Sequence, residues 1–527
     1  EDFDKPKIAV VNSSSDLSVC YQHLDDVAAS VKKAIRAAGG LPFEIRTAAP
    51  SDFVTSAGKQ GRYLMPTRDL LVNDIEVQVE GAELDGMVLL SSCDKTTPAH
   101  LMAAGRLDVP SLVVTCGFQL GSDCGGRHTD IEDVYNAVGA LKARHITLCD
   151  LKEMTRKAIR GPGVCAGLAT ANSMHCLAEA LGMALTGNAP IRAASEELFA
   201  FAQAAGERIV ALVEQDIRPR SIMVPNAFRN AVRVATSLGC SVNVVRHLTA
   251  IAAESECDVD ILAEFDAAST LPQVTQIRPN GPTRIEEFAA AGGVAGAMVS
   301  LLSELDGSVQ TVTRLTLAEA LATRPRKDDT VIRPIDNPFR DEPGLVIIRG
   351  NLAPIGAVVK LSAVPAEVRK FRGEAIVFEN ESDALDGIES DLIKPGHAVV
   401  LRMLGPKGGP GTVFAASFMA ALVGAGLGDK VAVITDGELS GLNSGITIGQ
   451  VMPEAAENGP LAAVENGDVI RIELDQRQIT LDIPDNELEA RIAALPPRPP
   501  TKERGWLAMY QKLVQPLSRG AILRAED

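Results

Sequence analysis

From Lys7 to about Phe118, short apolar runs alternate with stretches of helical period: Ile8–Val11, then 24–38, then Gly86–Leu90, then Ser111–Thr115. Apolar runs too short for helices, separated by amphipathic stretches, are the rhythm of βαβ units and predict a mostly parallel sheet. The segments Ala166–Leu185, Ala227–Glu254 and Thr283–Leu305 are longer, rich in alanine and helical in period, so they are expected to cover that sheet. The chain turns polar and proline-rich around Arg324–Asp329 and Pro334–Pro338, as at a domain boundary. A large N-terminal α/β domain over residues 1–338 is the expectation. Beyond it, Leu345–Ile348, Ala375–Phe378, His397–Leu401, Val431–Ile434, Val469–Glu473 and Ile479–Ile483 are short β runs separated by glycine turns. They predict a smaller, β-rich, barrel-like domain over residues 339–490, followed by a tail over 491–527 with one helix and an extended end.

Composition sharpens this picture in three ways. At 527 residues the chain exceeds a single core, since domains usually stop growing at roughly 250–300 residues. Hydrophobic residues make up 46% and aromatic ones only 4%, with 45 glycines, which favours a core of Ala, Val, Leu and Ile and an α/β architecture over a β-sandwich. A net charge of −17 with no Lys/Arg run repels phosphate backbones and anionic lipids, so neither nucleic acid nor a membrane is an expected partner. Residues Gly408–Gly428 carry no charge, but their six glycines and a proline predict a loop and a buried helix rather than a membrane span. The acidic stretch Glu1–Lys7 lacks the basic and apolar regions of a secretory signal, and a cytoplasmic location is expected.

Nine cysteines, an odd number, argue against a disulfide framework and for thiols kept reduced or bound to metal. By count alone, nine buried small hydrophobes is the plainer reading. Three stand apart, each in a turn-forming or polar setting: Ser13-Ser-Ser-Asp-Leu-Ser-Val-Cys20, Ser91-Ser-Cys93-Asp-Lys-Thr-Thr97 and Gly161-Pro-Gly-Val-Cys165. In an α/β domain such positions fall at the carboxyl ends of strands or the amino ends of helices, where loops converge on a ligand crevice. No CxxC pair is present, so spacing alone gives no support to a zinc site.

The run Cys93-Asp-Lys-Thr-Thr-Pro98, followed by Leu101-Met-Ala-Ala104, resembles the signature of the dihydroxy-acid dehydratase and 6-phosphogluconate dehydratase family, which includes sugar-acid dehydratases. Further matches follow in the family's order: Thr170-Ala-Asn-Ser-Met174, Gly239-Cys-Ser-Val-Asn243, His247-Leu-Thr-Ala-Ile251, Gly350-Asn-Leu-Ala-Pro354, Gly405-Pro-Lys-Gly-Gly-Pro-Gly411, Thr435-Asp-Gly437 and Pro453-Glu-Ala455. The resemblance implies a hydro-lyase that dehydrates a 2,3-dihydroxy carboxylic acid, a sugar acid being the favoured subclass, to a 2-keto acid. It implies that Cys20, Cys93 and Cys165 hold a [2Fe-2S] cluster whose open iron serves as a Lewis acid. It further implies Mg²⁺ on Asp52 and Asp94, with Lys95 as a further ligand when carbamylated, and Ser440 as the base. Taken alone, Asp52 also reads as a turn or helix-capping residue, and Ser440 as a turn residue. A homodimer or homotetramer is the expected assembly.

The chain departs from the family pattern in its C-terminal half. Where a metal-binding Glu is usual, 26 residues before Ser440, stands Phe414, and Glu438 replaces the usual Arg two residues before the serine. Glu438 is therefore a candidate replacement ligand for the metal. A rival reading, favoured by Phe414, is a catalytically weakened relative that binds a metal or an acid. The joint retention of Cys20, Cys93, Cys165, Asp94, Lys95 and Ser440 argues against it.

Overall fold

The computed structural model describes residues 4–51, 59–124, 126–142, 144–413, 415–438, 445–497 and 503–525. They divide into two compact units. The first comprises residues 1–54, 67–121 and 159–343, the second residues 55–66, 122–158 and 344–527.

At the centre of the first unit β1 (Lys7–Asn12), β2 (Leu41–Arg46), β3 (Gly86–Ser91) and β4 (Ser111–Thr115) form a parallel sheet in the order β2-β1-β3-β4. Every residue of β3 and β4 is buried, and all of β1 but Lys7. Continuous apolar runs are what a parallel sheet covered on both faces requires. The helix Leu24–Ala37 buries Leu24, Val27, Ala28, Val31, Ala34 and Ile35, one stripe at helical spacing. It packs on the helix Glu196–Glu214 so closely that a Cβ added at Gly206 would lie 2.7 Å from the Ala34 Cβ.

Two of the long helical segments are each broken in two, and glycine is the reason. The stretch 227–254 splits into Pro225–Leu238 and Asn243–Glu254, with Gly239 closing the first helix at φ +66°. The stretch 283–305 splits into Ile285–Ala290 and Gly293–Ser300 at Gly292 and Gly293, both with positive φ. The segment 166–185 is helical over Thr170–Ala180 only.

In the second unit β5 (Ser122–Cys124) and β6 (Arg127–Thr129) pair as a small antiparallel ladder. A closed barrel is built from β7 (Val346–Gly350), β8 (Ala353–Val359), β9 (Lys370–Phe378), β10 (Ala398–Leu401), β11 (Ala432–Thr435), β12 (Thr447–Met452), β13 (Val469–Glu473) and β14 (Gln478–Leu481). Its order is β10-β11-β12-β8-β7-β14-β13-β9. Side chains alternate along these strands with the period of two that a pleat imposes. Ala398, Val400, Ala432, Ile434, Ile448, Ile470 and Ile479 share one core. Val399, Leu401, Val433, Ile376 and Phe378 share another with Phe418 and Leu422 of the helix Ala416–Gly424. That helix is too short to span a bilayer, and none of the described helices is long and apolar enough to do so.

The main division falls at residues 343/344, and residues 55–66 and 122–158 group with the barrel unit. Residues 122–158 belong with the barrel unit because the helix Ile131–Lys142 lies against Ala416–Gly424. A Cβ at Gly139 would stand 2.2 Å from the Ala420 carbonyl oxygen. The C-terminal tail also joins this unit, its Trp506 Nε1 donating to the Pro66 carbonyl at 3.2 Å.

Candidate active site

The three singled-out cysteines of the first unit lie where its parallel strands end. Cys20 sits in the single turn Val19–Tyr21 after β1; its N–H donates to Ser18 Oγ at 3.3 Å, and its carbonyl accepts from Ser92 Oγ at 2.8 Å. Cys93 follows the end of β3 by two residues and holds φ +68°. That left-handed region suits glycine, and a residue with a Cβ costs roughly 1–2 kcal/mol there. Keeping a side chain at this cost points to a use for the thiol. Cys165 is brought to the segment after β4 by backbone bonds on its neighbour, from Val164 N to Gly117 O at 3.0 Å and from Gln119 N to Val164 O at 2.9 Å. Asn172 Nδ2 donates to the carbonyls of Cys165 and Gly167, both at 2.8 Å.

Tyr21 was not singled out by the sequence, and it faces two of these thiols. Its ring is fully buried, and its hydroxyl bonds the Pro50 carbonyl, Thr96 Oγ1 at 3.2 Å, and Cys93. Burial, and then the adjoining Cys93 and Cys20, push this phenol well above its usual range, so it stays protonated and able to donate. The only local signal was its place beside Cys20. Cys116 directly follows β4; burial pushes its thiol up, which fits a packing role. None of the eight described cysteines whose side chains are placed is in a disulfide.

Asp94 and Lys95 lead into the helix Thr96–Leu107, with Lys95 at its N-cap, and both are buried. His247 is held neutral, first by burial and then by the nearby cations Lys95, Arg68 and Arg246. Its Nδ1 lies 3.4 Å from Arg68 Nη1, while Arg68 Nη2 meets Asp69 at 3.0 Å. Burial pushes Asp69 up to about 6 against the pull of Arg68. Lys95 thus belongs to a buried cluster of basic groups; of these the sequence had marked His247 only as part of a family motif.

In the barrel unit Glu438 follows β11 and is 1% exposed. Its N–H donates to the Val413 carbonyl and its carbonyl accepts from Ala415 N, both at 3.3 Å. Asp52, Phe414 and Ser440 lie outside the described residues.

The donor chemistry of the first unit fits a metal-bearing polar site. Thr97 Oγ1, both amide atoms of Gln119, Asn172 Oδ1 and His247 Nε2 are buried and have no hydrogen-bond partner among the described residues. Similar atoms occur elsewhere in the chain, but of these residues Asn172 is bonded to Cys165 and Gln119 to Val164 beside it, Thr97 follows Lys95 by two residues, and His247 feels the charge of Lys95. The ligand set itself is not closed, because among the described residues no three His, Cys, Asp or Glu side chains group as around an ion. Cys20 and Cys93 are gathered about Tyr21, and Cys165 stands at the same end of the sheet.

Comparison with known proteins finds relatives along nearly the whole chain. The family described as dihydroxy-acid/6-phosphogluconate dehydratase N-terminal matches residues 5–320, and its C-terminal counterpart matches residues 330–521. The chain is 42% identical to the dihydroxy-acid dehydratase of Syntrophobacter fumaroxidans, over 100% of this chain and 95% of that one. It is likewise 42% identical to that of Caldicellulosiruptor saccharolyticus, and 40% identical to dihydroxy-acid dehydratase 1 of Methanosarcina acetivorans over 98% of this chain and 94% of that one. The chain therefore belongs to the dihydroxy-acid/6-phosphogluconate dehydratase family and is a dehydratase, a hydro-lyase.

Proposed function

We propose that the chain removes water from a 2,3-dihydroxy carboxylic acid to give a 2-keto acid, with a [2Fe-2S] cluster on Cys20, Cys93 and Cys165. In the same reading Mg²⁺ is held by Asp52, Asp94, Lys95 and Glu438. When bound, these groups supply Lewis acidity toward the leaving hydroxyl and the substrate's carboxylate. The observation that carries the reading is that Cys20 and Cys93 lie in the segments leaving the parallel strands β1 and β3, and Cys165 lies beside the segment leaving β4, with Cys93 kept in a costly left-handed conformation.

The protein's own groups account for the rest. Tyr21, protonated and donating, holds the Cys93 surroundings in place. The cations about His247 favour an anionic substrate in this part of the unit. Ser440 takes the proton from C2 as the C3 hydroxyl leaves with a proton as water, and the enol formed gains a proton at C3 and gives up the one on its C2 hydroxyl to become the 2-keto acid. The name shared by the relatives supports the dihydroxy-acid class; the sugar-acid subclass rests on the sequence resemblance alone.

The test is keto-acid formation by the holoenzyme over a panel of aldonic and branched 2,3-dihydroxy acids, read by hydrazone chemistry. Turnover of at least one member is expected. Ser440→Ala should keep cluster and fold while lowering kcat by roughly 10²–10⁴-fold and abolishing exchange of the C2 hydrogen with solvent. Turnover of none of the acids would refute the activity, and near-normal exchange in Ser440→Ala would refute the base.

A further inference from the structure

Two buried carboxylates in the barrel unit have no role in the reading above. Asp436 and Glu454 stand just past the ends of β11 and β12, which with β10 form three adjacent parallel strands. Asp436 Oδ1 accepts from Leu404 N at 2.9 Å, and its Oδ2 accepts from Met403 N at 3.2 Å and Ala455 N at 2.9 Å. One side chain thereby joins the loops that leave all three strands. Glu454 Oε2 accepts from Gly408 N at 3.0 Å and Lys407 N at 3.2 Å, and Oε1 from Lys407 N at 3.1 Å. It grips the glycine-rich loop Gly405–Gly411 from below.

The loop is shaped around this grip. A Cβ at Gly405 would lie 2.4 Å from Glu454 Oε2, and one at Gly437 would lie 2.7 Å from the Leu404 Cβ. The same loop is stitched onward, from Val413 N to Leu404 O at 2.8 Å and from Glu438 N to Val413 O at 3.3 Å. At its edge Lys407 Nζ meets Glu457 at 2.8 Å. Burying two carboxylates near one another is costly, and well-packed apolar residues commonly serve stability as well or better. Buried polar groups are retained where they fix a geometry that apolar packing leaves free, and here the oxygens of each side chain order backbone N–H groups of a loop rich in glycine.

We propose that Asp436 and Glu454 are positioning residues for the dehydration: together they clamp the glycine-rich loop to the segment Thr435–Glu438, fixing the chain that leads into Ser440. The proposal rests on the reading of Ser440 as base only for its catalytic consequence. The clamp itself is measured separately.

The experiment compares the holoenzyme with Glu454→Gln, Asp436→Asn and Gly405→Ala. Gly405→Ala keeps both carboxylates and presses on the clamp from the loop side, so it serves if a charge variant fails to fold. Hydrogen-deuterium exchange should quicken by about tenfold or more at Met403 and Leu404 in Asp436→Asn and at Lys407 and Gly408 in Glu454→Gln, where an amide –NH2 replaces one accepting oxygen, and at Lys407 and Gly408 in Gly405→Ala, where the added methyl displaces the Glu454 carboxylate. With any acid that the wild type turns over, kcat should fall by about 10–100-fold while KM changes less than about threefold and iron content is unchanged. Unchanged exchange would overturn the clamp. Faster exchange with kcat within about twofold of wild type would overturn its role in positioning. Retained C2 exchange in Ser440→Ala would instead remove the base assignment and leave the exchange result for the clamp standing.

Discussion

Replacing Tyr21 by Phe removes one oxygen from the place where two candidate cluster thiols meet, and the structure fixes what that oxygen does. The ring is fully buried and stays so in the variant, so no apolar contact is lost. What is lost is the partner of the Pro50 carbonyl and of Thr96 Oγ1, together with the hydrogen bond to Cys93. A buried polar group left unsatisfied costs about 1–3 kcal/mol, and Thr96 can rotate its hydroxyl toward another acceptor, so about 2 kcal/mol is expected. In a unit of this size that lowers Tm by about 3 °C. A second effect falls on the metal group. Residues that hydrogen-bond a ligand from behind are commonly worth 10–100-fold in metal affinity, so iron loss to a chelator should quicken by about tenfold while turnover per bound cluster is unchanged. The assay is a thermal shift of anaerobic holoenzyme followed by bleaching of its visible absorbance under chelator. A Tm within about 1 °C of wild type would refute the stability argument, and an unchanged bleaching rate would refute the placement of Tyr21 against the ligand thiols.

Anaerobically purified wild type should be brown with about one [2Fe-2S] cluster per chain, and Cys93→Ser should lose both colour and turnover; full iron content in that variant would remove Cys93 from the ligand set. Burial raises the Glu179 carboxyl from 4.5 to about 7, against the N–H groups of Gly187 and Ala189 that it accepts from and the charge of Arg324. Since its folded pKa lies above the unfolded one, its contribution is fully present below about pH 4.5 and is lost as pH rises to about 7, on the order of 3 kcal/mol. Urea unfolding at about pH 5 and about pH 7.5 should therefore show a smaller pH difference in Glu179→Gln than in wild type, and equal differences would refute the assignment. Gly139→Val should destabilise the barrel unit by about 3 kcal/mol through the Ala420 carbonyl, read as a lowered Tm, whereas an unaltered Tm would mean the two helices can separate at no cost.

How much of this was legible depends on whether the signal is local. Strands β3 and β4 were plain because both of their faces are buried, leaving unbroken apolar runs. Strands β8 and β12 were missed: Pro354 and Gly356 interrupt the first, and the second has Gly449 and Gln450 within it and a register shift between Gly449 and Met452. The assignment of residues 122–158 to the barrel unit was invisible, because the contact of Gly139 with Ala420 joins residues far apart in sequence without any change in composition. At the site, the thiols could be read as loop residues following apolar runs. The buried Arg68, Tyr21 and His247 could not, since nothing in a sequence says which way a helix or turn aims a polar side chain.

Glu438 is the residue on which sequence and structure together press hardest. The family resemblance expects a carboxylate at position 414 and a cation at 438, and the chain has an aromatic ring and a carboxylate instead. The main chain of Glu438 is bonded to Val413 and Ala415, the two residues that flank position 414. A carboxylate introduced at 438 therefore enters the neighbourhood from which one was lost. Because it is 1% exposed, the Glu438 side chain cannot be a solvated surface charge, and a buried carboxylate persists only where donors or a cation offset its desolvation. Glu438 already has a partner of its own, and in the reading proposed above Mg²⁺ is a further one, taking an oxygen where position 414 no longer offers it. In Glu438→Gln the Mg²⁺ concentration that half-activates turnover should rise by about 10–100-fold, and Phe414→Glu in that background should recover part of the loss. Equal half-activation in wild type and Glu438→Gln would show that the metal is held without this residue, and that its carboxylate is satisfied by protein donors alone.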